Sequence, residues 1–482
     1  MGCIARPAKG SSMYDLVIAN GTVATAADVY RADVGIKDGV IVALGRGLTG
    51  AAETIDAAGR YVLPGGIDSH VHIAQPSGEG IVMADDFESG TRSALFGGNT
   101  TVLPFCIQEK GEALRTALTD YHAKAAGNCY TDVSFHLVIS DPSEAVLGQE
   151  LPAAVADGYT SFKIFMTYEA LRLNDAEILA TMDTARRTGA LVMVHCENED
   201  AIRFLVDKFT GEGHLEPRTH ATTRPVVVER EATHRAISLA EVVDVPVVIV
   251  HVSNGAAMEE IARARARGRP IVGETCPQYL MLTEDDLSGM DWEGAKFVCS
   301  PPPRDKAEQT NIWRGIETGI FDLFSSDHCP FRYDDDRGKL NPKGRNDFRH
   351  IPNGIPGVET RLSILFSEGV MKGRIDLPRF VAMTATNHAK TYGLYPRKGT
   401  IAVGSDADIA IWDPDAERVI RHAELHDAAD YSPYEGIAVR GRPETMILRG
   451  KVMVRDGALV GEKGYGAYLP RGLSDRAKPP TE

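Results

Sequence analysis

The chain has 482 residues, 43% hydrophobic and 25% charged, enough apolar material for a large core and more than one compact domain holds alone. Its 67 acidic against 52 basic residues give a formal charge of -15 and a pI near 5.5. That balance argues against nucleic acid or an anionic membrane as a partner, because the sign is wrong and no basic cluster is present. The longest apolar runs, such as Val242 to Val252, are too short to span a bilayer and are broken by Asp244 and Pro246.

Residues 1–12, ending in Gly10-Ser11-Ser12, read as a disordered extension ahead of a natural start at Met13. From Tyr14 to about Tyr61 follow short alternating segments, among them Leu16-Val17-Ile18, Val34-Gly35-Ile36 and Ile41-Val42-Ala43-Leu44, punctuated by Asn20-Gly21 and Asp38-Gly39 turns. The same style returns after Gly399, in Ala407 to Trp412, Met446 to Gly450 and Val452 to Val454. The two chain ends, 13–62 and 397–462, are therefore expected to build one small β-sandwich, with 463–482 as a C-terminal tail.

Between them, over 63–396, β-rich apolar runs alternate with helical stretches. Eight candidate strands run from Tyr61 to His72, Thr100 to Cys106, Val133 to Ser140, Thr160 to Met166, Ala190 to Cys196, Val245 to Val252, Pro270 to Thr275 and Ile320 to Asp327. Amphipathic segments such as Asp175 to Thr188 and Ala256 to Arg267 separate them. Repeated βα units of this number imply an α/β fold, a (β/α)8 TIM-like barrel, whose catalytic residues stand at the C-terminal strand ends. The seven cysteines are odd in number, scattered and without a CxxC pair. They read as reduced, buried thiols of a cytoplasmic protein.

The residues closing these runs form a metal inventory. In an extended segment alternate side chains share a face, so Asp68, His70 and His72 point one way and two imidazoles can reach one ion. The fourth run contains Lys163, the fifth ends at His195, the sixth at His251 and the eighth at Asp327, followed by His328. Taken singly, each histidine reads as a core residue bonded to a carbonyl; together, at the mouths of independently read strands, they read as ligands. Lys163 is either a salt-bridged or snorkelling lysine or one that has lost its charge, since an ammonium beside metal cations is repelled and desolvated. Reaction with carbon dioxide would turn it into a carbamate, an anion with two oxygens able to bridge two cations.

His70-Val71-His72, Ser161 to Met166 with Tyr168, Val194-His195-Cys196-Glu197-Asn198, His251-Val252-Ser253, Ser300-Pro301-Pro302, Ser326-Asp327-His328-Cys329 and Ile351-Pro352-Asn353-Gly354 occur in order across the chain. Together they resemble the dihydropyrimidinase and hydantoinase branch of the amidohydrolase superfamily, from about Tyr14 to Gly461. Asp85 to Thr91 and Gly399 to Asp408 add to the likeness.

The resemblance implies a binuclear site, usually zinc, with manganese or cobalt also accepted by such ligands. One metal would be held by His70, His72, carbamylated Lys163 (N6-carboxylysine, formed from carbon dioxide or bicarbonate) and Asp327, the other by Lys163, His195 and His251. It further implies hydroxide as nucleophile, Asp327 as general base and then acid, and Tyr168 as the oxyanion's hydrogen-bond donor. Tyr168, Ser300 and Asn353 would bind the substrate, the last two largely through their backbone. His328, Cys329 and Cys196 read as packing neighbours of ligands.

The implied reaction opens a cyclic ureide, a dihydropyrimidine or 5-substituted hydantoin, to an N-carbamoyl amino acid. An allantoinase- or imidase-like hydrolase shares these ligands and stands as the alternative; a non-catalytic scaffold on the same fold is a third reading. Dihydroorotases place an arginine just after the HxH pair, where this chain has Ile73-Ala74-Gln75. The branch commonly shows an aromatic after the following proline, where this chain has Pro76-Ser77-Gly78. A small polar residue there predicts an altered side-chain preference. Relatives assemble as homotetramers or homodimers, and the same is implied here.

Overall fold

Pro64-Gly65-Gly66 decides where one domain hands over to the next. The computed structural model describes residues 12–474, 476 and 477, so most of the expected N-terminal extension lies outside the described residues. At Gly65 a Cβ would stand 2.2 Å from Thr100 Oγ1, so only glycine lets the chain pass. The expected single strand from Tyr61 to His72 is consequently two: Tyr61–Pro64 joins a sandwich sheet, and Gly66–Val71 opens the barrel. Apolar residues continue on both sides of the Pro64-Gly65-Gly66 break and hide this division, because both pieces are buried.

The sandwich pairs a four-stranded sheet, in the order Val40–Gly45, Asp33–Lys37, Tyr14–Ala19, Ala51–Asp56, with a seven-stranded sheet that draws on both chain ends. In the latter Tyr61–Pro64 lies between Ile409–Val419 and Thr22–Ala24. Alternating β-branched residues (Ile18, Val34, Ile36, Val62, Ile409, Ile411, Ile447) fill the space between the sheets.

The barrel strands follow Gly66–Val71 in parallel: Asn99–Ile107, a third strand in two pieces (Asp132–Val133 and His136–Val138), Ser161–Phe165, Leu191–His195, Val247–Ile249, Ile271–Thr275 and Leu323–Phe324. The ring closes through Val71 and His328, with His72 N–H donating to the His328 carbonyl at 2.6 Å. The third strand is interrupted where Arg471 takes the Ser134 hydroxyl and the Phe135 carbonyl as acceptors.

The outer helices follow their patterns. Asp175–Thr188 is the expected segment, opened by an Asn174/Glu177 capping box, ended by Gly189 at φ 76°, and burying Ile178, Met182 and Ala185. Gly255–Ala266 lies one residue before its expected bounds.

The stretch read as a C-terminal tail lies, where described, against the N-terminal end of the barrel. Leu469 N–H donates to Val133 O, and Tyr468 packs on Phe135. Domain docking is polar as well as apolar. The buried Lys398 amine reaches Asp132 at 2.7 Å, Asp408 at 2.6 Å and Asp406 at 3.0 Å, with Arg449 also on Asp132. The six described cysteines are unpaired, and no described helix is long and apolar enough to cross a membrane.

Candidate active site

A cavity of about 780 Å³ opens at the C-terminal ends of the barrel strands. Every residue read from sequence as a metal ligand or substrate contact lines it: His70, His72, Lys163, Tyr168, His195, His251, Ser300, Asp327 and Asn353. They arrive from the ends of five barrel strands, the first, fourth, fifth, sixth and eighth, and from the two loops that carry Ser300 and Asn353. The barrel brings together residues as far apart in sequence as His70 and Asn353.

His70, His72 and Asp327 make the tightest group. Asp327 Oδ1 lies 3.2 Å from His70 Nε2 and 3.4 Å from His72 Nε2, and the three potential ligand atoms fall within 4.8 Å of one another. The His251 ring stands 5.3 Å from that of His70 and 4.5 Å from that of His195, centroid to centroid. Lys163 Nζ is wholly buried, 5.2 Å from the Phe105 ring centre and 5.1 Å from that of Phe165.

Three of these residues hold backbone conformations that side chains disfavour: φ is 69° at Tyr168, 38° at His251 and 52° at Asp327. Each follows a barrel strand and turns its side chain into the cavity at a cost of about 1–3 kcal/mol. Surrounding structure, not local preference, imposes these angles.

Burial holds His70 and His251 well below the ordinary imidazole range and lowers His195 as well. Neutral imidazoles with free lone pairs are the form that binds metal. Burial pushes Asp327 up, but His70 and His72 outweigh it and leave the carboxyl below its usual value. Burial pushes the Lys163 amine down and the Glu274 carboxyl up. The Tyr168 phenol is raised by burial and then by Glu197, and stays a donor.

Three residues have supporting roles that the sequence does not assign. Glu274 meets His70 Nδ1 at 2.7 Å and also accepts from Ser325 Oγ at 2.8 Å and His251 N–H at 3.2 Å. Gln75 meets His72 Nδ1 at 2.8 Å, and Glu197 meets His195 Nε2 at 2.8 Å. These contacts fix ring orientation and tautomer. The rule of polar residues closing apolar runs would have found Glu274, near the end of Ile271–Thr275; nothing local marks Gln75.

His328, read as a packing neighbour, is bonded at both nitrogens, accepting from Gly357 N–H at 3.0 Å and meeting Asp85 at 2.8 Å. Cys196 is buried, whereas Cys329 lines the cavity. Asn353 Nδ2 donates to Tyr168 Oη at 3.4 Å, and Ser300 Oγ lies 3.2 Å from His220 Nε2.

The donor set fits divalent metal. His70 Nε2, His251 Nδ1 and Lys163 Nζ are buried polar atoms without a hydrogen-bond partner, an expensive state unless something else satisfies them. They surround one cavity, and the nitrogen and oxygen donors beside them suit zinc or a similar ion.

A catalytic-face barrel with a histidine and carboxylate cluster defines a metal-dependent hydrolase class, and comparison agrees. The Amidohydrolase family model matches residues 61–453, and the model of the urease alpha-subunit N-terminal domain matches 1–63. A D-hydantoinase of Ralstonia pickettii is 48% identical over 95% of this chain and 99% of its own length. A solved D-hydantoinase structure superposes with TM-score 0.92 at 48% identity, covering 95% and 99% of the two chains. The dihydropyrimidinase of Brevibacillus agri superposes with TM-score 0.92 at 45% identity, covering 95% and 98%. The chain belongs to the amidohydrolase family, in its hydantoinase and dihydropyrimidinase branch.

Proposed function

We infer that this chain is a cyclic amidohydrolase that opens a 5-substituted hydantoin or a dihydropyrimidine to the N-carbamoyl amino acid. The observation that carries this reading is the convergence of His70, His72, Lys163, His195, His251 and Asp327 on one cavity that also presents Tyr168, Ser300 and Asn353. Full-length relatives bearing hydantoinase and dihydropyrimidinase names support it.

His70, His72, Lys163 and Asp327 would hold one divalent ion, and Lys163, His195 and His251 the other. Zinc suits these donors, and manganese or cobalt would also be accepted. The neutral Lys163 amine would add to carbon dioxide, forming an N–C bond and releasing one proton, to give a carbamate whose oxygens could serve as ligands. When bound, the ions supply Lewis acidity, polarising the scissile carbonyl and easing deprotonation of the attacking water.

Asp327 takes that proton and later delivers it to the ring nitrogen as the C–N bond breaks. Tyr168 donates its phenolic hydrogen to the oxygen that gains charge in the tetrahedral intermediate. Ser300 and Asn353 hold the ring amide, largely through backbone groups. Within the one opened product the carbonyl carbon becomes the carboxylate and the ring nitrogen becomes the terminal NH2 of the carbamoyl group.

Ser77 and Gly78 line the cavity beside Ile81 and Met83, so its wall is small and polar at one point and apolar further on. This supports a preference shifted away from aryl substituents. Undiminished kcat/KM on aryl hydantoins would refute that part. The resemblance carries a homotetramer or homodimer, and unpaired cysteines support a cytoplasmic setting.

The test is kcat/KM across dihydrouracil, dihydrothymine, hydantoins, allantoin and cyclic imides, after chelation and reconstitution with zinc and bicarbonate. Hydantoins and dihydropyrimidines should be the favoured substrates, with about two metal ions per chain. Protein that binds no metal and hydrolyses nothing after reconstitution would overturn the reading. Dominant turnover of allantoin or an imide would transfer it to that substrate class.

A further inference from the structure

Lys339 is the one wholly buried lysine in the described residues that neither lines the cavity nor meets a carboxylate. Lys163 lines the cavity and Lys398 has its aspartates, whereas Lys339 is 0% exposed and donates only to two backbone carbonyls, Val298 O at 2.7 Å and Pro352 O at 3.1 Å. Burying an amine without a counter-charge is unfavourable, and an apolar chain of similar length would fill the space without that cost. A packing role therefore does not account for the amine.

Both carbonyls belong to the backbone that carries the substrate contacts. Val298 lies two residues before Ser300, and Pro352 immediately before Asn353. The two segments also touch directly, since Gly354 N–H donates to the same Val298 oxygen at 3.0 Å. On its other side the turn is wedged against the eighth-strand loop: Gly354 has φ 148°, and a Cβ there would stand 2.4 Å from the Cys329 carbonyl oxygen. Lys339 is itself secured, its N–H donating to Arg332 O at 2.8 Å. Burial pushes its amine down to about 7, and a neutral amine still donates both bonds.

We propose that Lys339 is a positioning residue whose amine straps the Ser300 segment to the Asn353 turn and sets the spacing between the two grips on the cyclic amide. This rests on the proposed function, which gives those two segments the substrate ring to hold. Lys339 makes no hydrogen bond to a metal-site side chain, so its removal should loosen substrate and leave the metals in place.

The test is Lys339→Met in the full-length, metal-loaded enzyme, with dihydrouracil and hydantoin as substrates. Metal content should match the parent enzyme, while kcat/KM falls about 10- to 100-fold, chiefly through KM, as expected when a positioning contact is lost. A metal-replete variant with kcat/KM within about twofold of the parent, whatever its melting temperature, overturns the proposal. If that variant does not fold, Lys339→Arg takes its place: it keeps charge and donors, but its planar fork cannot reproduce the two-carbonyl spacing. A raised KM then supports the proposal. Parent-like kinetics overturn it, as does failure of both variants to fold, which would make the lysine a folding requirement. A parent enzyme inactive on every cyclic ureide would instead refute the function on which the proposal rests.

Discussion

Glu274 offers the sharpest test of the site because His70 is the one proposed ligand whose side chain it meets, its contact with His251 being to the backbone N–H. Its carboxylate meets His70 Nδ1 at 2.7 Å with both partners fully buried, which leaves Nε2 facing Asp327. A charge-assisted bond of this kind contributes about 1.5–3 kcal/mol, and loss of such a support typically weakens metal binding about 10- to 100-fold. Glu274→Gln retains shape and an acceptor but loses the charge, so it should fall near the tenfold end. Glu274→Leu leaves the Nδ1–H buried and unpaired, and should fall near 100-fold. Competition with a chelator gives the affinity directly, and activity at saturating metal shows whether the rest of the site survives. If both variants bind metal within about twofold of the parent, or if the leucine variant binds more tightly than the glutamine, the reasoning fails.

Tyr168→Phe should lower kcat about 10²- to 10³-fold with little change in metal content, the loss expected for an oxyanion donor; an unchanged kcat would remove Tyr168 from that role. His388 is held neutral by burial, with Arg361 adding to the effect, and its pKa is lowered from 6.5 to about 3. The unfolded chain therefore binds the extra proton first: this contribution is complete above pH 6.5 and is lost as pH falls toward 3, by about 1.4 kcal/mol per unit. His388→Gln should flatten the stability–pH slope between pH 6 and 4 by close to one proton, and identical slopes in urea unfolding would contradict it. Lys398→Met leaves buried Asp408 without that cation and Asp132 with Arg449 alone, and should cost about 3–5 kcal/mol. An unchanged urea midpoint would show that the domains do not depend on that ion pair.

Much of the architecture was legible because burial imposes periodicity. Asp175–Thr188 is legible from its apolar stripe, and the capping box and closing glycine seen in the structure are local as well. The ligand candidates were legible because they end strands that the apolar runs reveal. Gly66–Val71 and Tyr61–Pro64 were read as one strand because a run buried in two different sheets has the same composition as a run buried in one. Gln75 carries no local mark of its role, although it orients the His72 ring.

The sequence by itself determined the alternation of strands and helices, the chemistry available at the strand ends and the sign of the surface charge, since each depends on residue type and short-range spacing. Tertiary structure alone decided which groups meet: Asp327 against His70 and His72, Glu274 behind His70, and Lys339 between Val298 and Pro352. Those contacts join residues tens to hundreds of positions apart. They depend on how the barrel closes and on positive φ angles at Tyr168, His251 and Asp327, which no local preference favours and only the packed surroundings impose.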